Sequence, residues 1–223
     1  MTSKIFKSVI LGAPGSGKGT ISSRILNAFN LGYLSSGDQL RQHIQKKSAI
    51  GLEAEKCINN GKLVGDDIMI KFILSELHGL SSNTWLLDGF PRTLSQAKAF
   101  WEVEKLDLAI NLVVPPEVIV SRVTGRWVHL PSGRVYNDTF NKPKVPGKDD
   151  ITGEPLTKRG DDTPEIVKKR LELYDELTRP VIEFYKEKGI LRDFAGKTSD
   201  EISPKVISYL SEFLETAQKK QKI

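Results

Sequence analysis

The sequence predicts an α/β fold, a five-stranded parallel sheet flanked by helices on both faces. Three observations carry this. Short, wholly apolar runs alternate with longer amphipathic ones along most of the chain. The first run passes through a glycine-rich turn straight into a helical pattern. One interval, 126–162, rich in Gly, Pro, Asp and Thr, interrupts that rhythm. Strands alternating with helices argue for parallel pairing, and parallel strands buried on both sides read as continuous apolar runs.

Taken in order, residues 6–11 read as the first buried strand, with a helix from Lys18 to about Phe29. Residues 32–34 form a second short strand. Helical patterns follow at 38–47, 52–59 and 66–77. Residues 84–87 are a strand, ended by Asp88-Gly89-Phe90-Pro91. Residues 94–104 are helical, 108–114 are a strand stopped by Pro115-Pro116, and 117–123 are helical again. The interval 126–162 lacks helical periodicity and is expected to be a small insert of turns and short strands. Residues 165–187 read as one long helix. Pro180 should kink or break it, because proline lacks an N–H and clashes with the preceding turn. Residues 190–194 are the last strand and 201–216 the last helix, with a basic, frayed tail at 219–222.

A chain of 223 residues suits one domain with small inserts. No apolar run approaches the roughly 20 residues of a membrane span. The stretch before the first strand is expected to be too short for a cleavable signal or transit peptide. Cys57 is the only cysteine, which rules out an internal disulfide and a cysteine-based zinc cluster, and points to a reducing compartment. The net charge of +5 suits an anionic partner, nucleotide or nucleic acid, but also fits a lysine-rich solvated surface.

The chemistry is most legible at Gly12-Ala13-Pro14-Gly15-Ser16-Gly17-Lys18, which follows a strand and opens a helix. That is the context of a P-loop. Glycines let successive backbone N–H groups turn inward around an anion, the helix N-terminus adds positive potential, and Lys18 supplies a mobile charge for the outer phosphates. The usual Ser or Thr directly after the lysine is absent: Gly19 intervenes and Thr20 carries the hydroxyl.

Further segments sharpen this. They are Leu34-Ser35-Ser36-Gly37-Asp38 with Arg41, Asn60-Gly61-Lys62-Leu63-Val64, and Leu87-Asp88-Gly89-Phe90-Pro91-Arg92 with Gln96. Ser132-Gly133-Arg134-Val135-Tyr136, Asp149-Asp150-Ile151-Thr152-Gly153-Glu154 and Arg159 with Asp161-Asp162 complete the set. In this order, over about residues 8 to 200, they resemble the adenylate kinase family, in its long-lid form. Arg126-Trp127 and Asp161-Asp162-Thr163-Pro164-Glu165 are similar to the branch that transfers phosphate from GTP to AMP in the mitochondrial matrix. The resemblance implies a P-loop NTPase fold in three parts. These are a core (1–34, 65–124, 163–223), a helical AMP-binding segment (35–64) and a small β lid (125–162).

It also implies roles. Gly15, Ser16, Gly17, Lys18, Gly19 and Thr20 would hold the triphosphate. Arg122 would stack on the donor base, with Val135, Tyr136 and Thr198 beside it. Ser36, Arg41, Lys62, Leu63, Val64, Gly89, Phe90, Arg92 and Gln96 would hold AMP, the two arginines gripping its phosphate. A guanidinium fork matches a phosphate in a way that lysine cannot. Arg126, Arg159 and Arg170 would converge on the transferring phosphates when the lid shuts and excludes water. Asp88, at the carboxyl edge of the sheet, would orient water around Mg²⁺, which keeps its waters. Thr20 is then the one candidate for a direct protein ligand. Asp38 can equally be a helix cap.

Where long-lid relatives carry zinc cysteines, this chain has His129, Ser132, Asp149 and Thr152. That set makes a hydrogen-bond cluster and a poor zinc site, so no zinc is expected. The resemblance implies a monomer acting on AMP with GTP, or with ATP as the alternative donor. It implies neither nucleic acid nor membrane as partner. A mitochondrial matrix location fits, and so does the cytoplasm. Two other readings are a UMP or CMP kinase, which the long lid and Lys62-Leu63-Val64 argue against, and a basic P-loop switch protein that binds nucleic acid. The latter would want aromatics interleaved with basic residues on an exposed face, and no such grouping occurs in the sequence.

Overall fold

The computed structural model describes residues 5–60, 62–139, 141–160 and 162–219. Gly61, Asp161 and the tail beyond Lys219, all noted in the sequence, lie outside them. The sheet consists of β1 (Lys7–Gly12), β2 (Gly32–Ser35), β3 (Trp85–Asp88), β4 (Leu108–Val113) and β7 (Leu191–Ala195). All pairings are parallel, in the order β2-β3-β1-β4-β7. A separate antiparallel hairpin, β5 (Arg126–Val128) with β6 (Val135–Asn137), lies in the interval that breaks the rhythm.

The continuous apolar runs have a direct cause. Neighbouring strand residues face opposite sides, and both sides are covered. Val9, Leu11 and Leu87 face one core cluster, with Phe72 and Ile73 of α4 (Asp66–His78), Ala97 and Phe100 of α5 (Leu94–Val103), and Val181 and Tyr185 of α8 (Arg179–Glu187). Ile10, Leu86 and Ile110 face the other. There they meet Ile21 and Ile25 of α1 (Lys18–Ala28), Ile119 and Val123 of α6 (Pro116–Thr124), and Val206 of α9 (Ser199–Lys219). The pair α2 (Ser36–Gln45) and α3 (Ala49–Asn59) closes one end of the first cluster through Leu40 and Ala54.

Two expectations change. The long helix at 165–187 is divided. α7 (Pro164–Leu173) runs into a π-helical turn, Tyr174–Thr178, before α8 resumes. The wider turn ends just before Pro180, whose missing N–H and ring disfavour an unbroken α-helix there. Asp38 is not a helix cap. Ser35 caps α2 by accepting from the Asp38 N–H at 3.3 Å, and the Asp38 side chain is left for other partners.

Candidate functional site

The glycine-rich turn joins β1 to α1 at the carboxyl edge of the sheet, where open α/β sheets bind ligands. Gly17 caps α1 in the left-handed region, φ 94, and Gly15 has φ 81. A Cβ on Gly15 would sit 2.5 Å from Val123 Cγ2, so the loop needs glycine there for both shape and space. The Lys18 ammonium donates to the carbonyls of Gly12 (2.8 Å) and Ala13 (3.1 Å), folding its side chain back over the loop. Burial lowers its pKa to about 8. Asp88 opposes that shift, while Arg92, Arg170 and Arg126 add to it. Ser16 Oγ is buried without a hydrogen-bond partner. Gly19 is exposed and Thr20 half-buried on the first turn of α1.

Arg122 is 8% exposed. Its guanidinium donates to the carbonyls of Gly15 and Ser16 at 3.3 Å and of Lys197 at 2.5 Å, tying the loop to the β7–α9 turn. Thr198 Oγ1 accepts from the Glu201 N–H at 3.1 Å, and the Tyr136 hydroxyl donates to Asp149 at 2.9 Å. Both hydroxyls thus have a partner within the protein, Tyr136 buried in the hairpin segment and Thr198 exposed on the turn before α9. Val135 is half-buried beside Tyr136 on β6.

One cavity runs from the loop to the helical pair. Gly12, Lys18, Ser36, Arg41, Lys62, Leu63, Val64, Gly89, Phe90, Arg92, Gln96 and Arg170 all line it. Sequence reasoning had grouped most of these residues, and the structure brings them together. Gln96 differs in detail. Its Nε2 donates to Asp66 Oδ1 and its Oε1 accepts from the Arg92 N–H, both at 2.8 Å. One proton and one lone pair of the carboxamide are thus committed within the protein. Asp66, which also accepts from Thr93 Oγ1 at 2.8 Å, was missed, as was Thr178, whose hydroxyl donates to the Arg92 carbonyl at 2.8 Å. Neither sits in a recognisable motif.

The arginines converge on two carboxylates. Asp162 accepts from Arg126 Nε at 2.7 Å and forms an ion pair with its Nη2, with Arg170 Nη1 at 3.6 Å. Asp38 holds Arg41 at 2.5 Å and Arg159 at 3.6 Å. Burial would raise the Asp38 carboxyl, but Arg41 and then Arg159 outweigh it and hold it below the ordinary value. Arg159 belongs to the segment carrying the hairpin and Asp38 to α2, so that segment reaches over the cavity. Asp88 ends β3, 7% exposed. Burial pushes its carboxyl up, against the pull of Lys18. Its Oδ2 accepts from the Tyr33 hydroxyl at 3.1 Å, a partner that sequence reasoning missed.

In the hairpin segment, His129 Nδ1 lies 2.7 Å from Ser132 Oγ and Nε2 2.6 Å from Glu154. Asp149 accepts from Arg134, Tyr136 and Thr152. The expected polar cluster forms, with Arg134 and Glu154 as additional members. Arg134 beside Asp149 holds that carboxyl far below the usual range.

A protein-family model described as adenylate kinase matches residues 10–190. The chain is 50% identical over 212 residues to a protein of Drosophila melanogaster named "GTP:AMP phosphotransferase, mitochondrial", covering 95% of this chain and 98% of that one. It is 49% identical over 218 residues to a Saccharomyces cerevisiae protein of the same name, covering 93% of each.

Proposed function

The chain belongs to the adenylate kinase family, and on that premise we propose that it transfers the terminal phosphoryl group of GTP, with ATP as a second donor, reversibly to AMP. The observation that carries this is a continuous cavity. It is lined at one end by Gly12 and Lys18 and at the other by Ser36, Arg41, Val64 and Arg92, so two phosphate-binding ends face each other across it.

Phosphoryl transfer needs positioning and charge neutralisation more than covalent help. Loop amides from Gly15 to Thr20 and the Lys18 ammonium cradle the donor phosphates. Arg41 and Arg92 grip the AMP phosphate, whose oxygen attacks the γ-phosphorus. The bond to the β,γ-bridging oxygen breaks, leaving ADP and the donor's diphosphate. Arg159, held at Asp38, and Arg126 and Arg170, held at Asp162, meet the transferring charge. Gln96 retains one N–H and one lone pair for the adenine edge, with Ser36, Leu63, Val64, Gly89 and Phe90 around it. Arg122, Val135 and the turn at Thr198 border the donor base.

Oxygen donors suit Mg²⁺. The Asp88 carboxylate, acting through water, and the Thr20 hydroxyl fit the ion, which when bound neutralises charge on the donor phosphates. Residues 125–162 act as a lid, 35–64 as the AMP-binding segment, and the rest as core. The chain works as a monomer without zinc. Its place is in mitochondria, a location that the names of its relatives support. The test is coupled turnover with AMP against GTP, ATP and ITP, each with Mg²⁺. The fastest AMP-dependent rate is expected with GTP. Salt-sensitive nucleic-acid binding without AMP-dependent turnover would overturn the proposal.

A further inference from the structure

We propose that Tyr33 is a positioning residue for phosphoryl transfer, its hydroxyl fixing the Asp88 carboxylate at the edge of the phosphate site. This rests on the reading of Asp88 given above and adds a residue outside every motif of the sequence. Tyr33 lies on the edge strand β2, which pairs with β3 so that Tyr33 opposes Leu86 and Ser35 opposes Asp88. Residues two apart share a face of a sheet, so Tyr33 and Asp88 project on the same side, diagonally across the pair. A long aromatic side chain spans that diagonal. The Tyr33 ring packs on the cluster that contains Leu86, Ile21 and Ile25, which restricts its torsions. The hydroxyl is thereby delivered to Asp88 Oδ2 at 3.1 Å.

The phenol donates and the carboxylate oxygen accepts. Burial, then Asp88 and Asp38, push the phenol well above its ordinary range, so it keeps its proton throughout neutral pH. Among the described residues this is the one side-chain hydrogen bond to Asp88, whose Oδ1 is left for the phosphate site. A neutral donor suits this position. A lysine or arginine there would cancel the charge of Asp88, whereas a phenol orients the carboxylate and leaves the charge in place. Without it the carboxylate is free to turn toward the Lys18 ammonium. That would draw the lysine from the Gly12 and Ala13 carbonyls, where it lies over the loop.

The experiment is a double-mutant cycle on the full chain, using Tyr33→Phe, Asp88→Asn and the pair, with AMP and GTP as substrates. Tyr33→Phe keeps the ring and removes one hydrogen bond to a charged group. It should lower kcat by about five- to twentyfold, with both KM values within about twofold of the parent. In the Asp88→Asn background it should cost nothing further, because the hydroxyl acts only through that carboxylate. Tyr33→4-aminophenylalanine restores a neutral donor at the same place and should recover kcat. Parent-like kcat in Tyr33→Phe overturns the inference. So does an equal, multiplicative loss in the Asp88→Asn background, or a folded 4-aminophenylalanine variant as slow as Tyr33→Phe. Should Asp88→Asn alone run at the parent rate, the reading of Asp88 itself fails, which separates the two outcomes.

Discussion

Lys18→Met should abolish turnover and change how folding stability depends on pH. The lysine titrates near 8 in the folded chain against 10.5 as its ordinary value. That difference corresponds to about 3 kcal/mol of folding stability. The sign follows from the depressed value. Below about pH 8 both states are protonated, and the folded state carries the full cost of a buried ammonium. Between about pH 8 and 10.5 the unfolded chain binds the proton and the folded chain does not, so stability rises with pH. Above that window the cost is gone. The absolute offset between parent and Lys18→Met also contains the lost bonds to Gly12 and Ala13, but the pH dependence of that offset does not. Urea unfolding followed by tryptophan fluorescence, without nucleotide or metal, should show the parent gaining about 3 kcal/mol on the variant across this window. Other groups titrate in both proteins and cancel. Saturating tripolyphosphate should shift the window upward, since a bound anion favours the ammonium. Parallel stability curves, agreeing within about 0.5 kcal/mol, would refute the argument.

Other outcomes follow from the same geometry. Arg92→Ala should lower kcat/KM for AMP about a hundredfold while leaving the donor KM within about twofold; a loss confined to the donor would place Arg92 at the other end of the cavity. Asp149→Asn cannot satisfy the donors from Arg134, Tyr136 and Thr152, so amide hydrogen exchange across 128–157 should accelerate about tenfold or more. Because the Asp149 carboxyl is held far down, its contribution to stability is present above the ordinary carboxylate value and is lost as the pH falls below it. Acid should therefore loosen the parent hairpin segment toward the behaviour of the variant, and unchanged exchange at low pH would contradict this. Phe100, fully buried and edge-on to Phe90 at 5.4 Å, should cost about 3–5 kcal/mol when changed to Ala. Urea denaturation measures this, and a loss below about 1 kcal/mol would mean that the site collapses around the gap.

Much of the site could be read from the chain because its chemistry is written locally. The turn from Gly12 to Lys18 is one contiguous device, needing only a strand before it and a helix after it. Arg41, Arg92, Arg126, Arg159 and Arg170 stand out as candidates from the sequence, and the structure sets them at one cavity or at the carboxylates of Asp38 and Asp162. What escaped reading were partners that meet across space. Asp66 and Gln96 are 30 residues apart and Tyr33 and Asp88 are 55 apart, with nothing in either local segment naming the other. The π-helical turn was also missed: Pro180 signals trouble in a helix but does not say whether the chain breaks, bends or widens there.

The sequence by itself determined the strands, most helix limits and the phosphate loop, because periodicity, glycine and proline act over a few residues. Only the tertiary structure decided which carboxylate each guanidinium meets, and that Tyr33 reaches Asp88. Those pairings depend on β3 lying between β2 and β1 and on the hairpin segment folding over α2. Contacts of that kind are set by how buried faces pack, and no short-range pattern carries them.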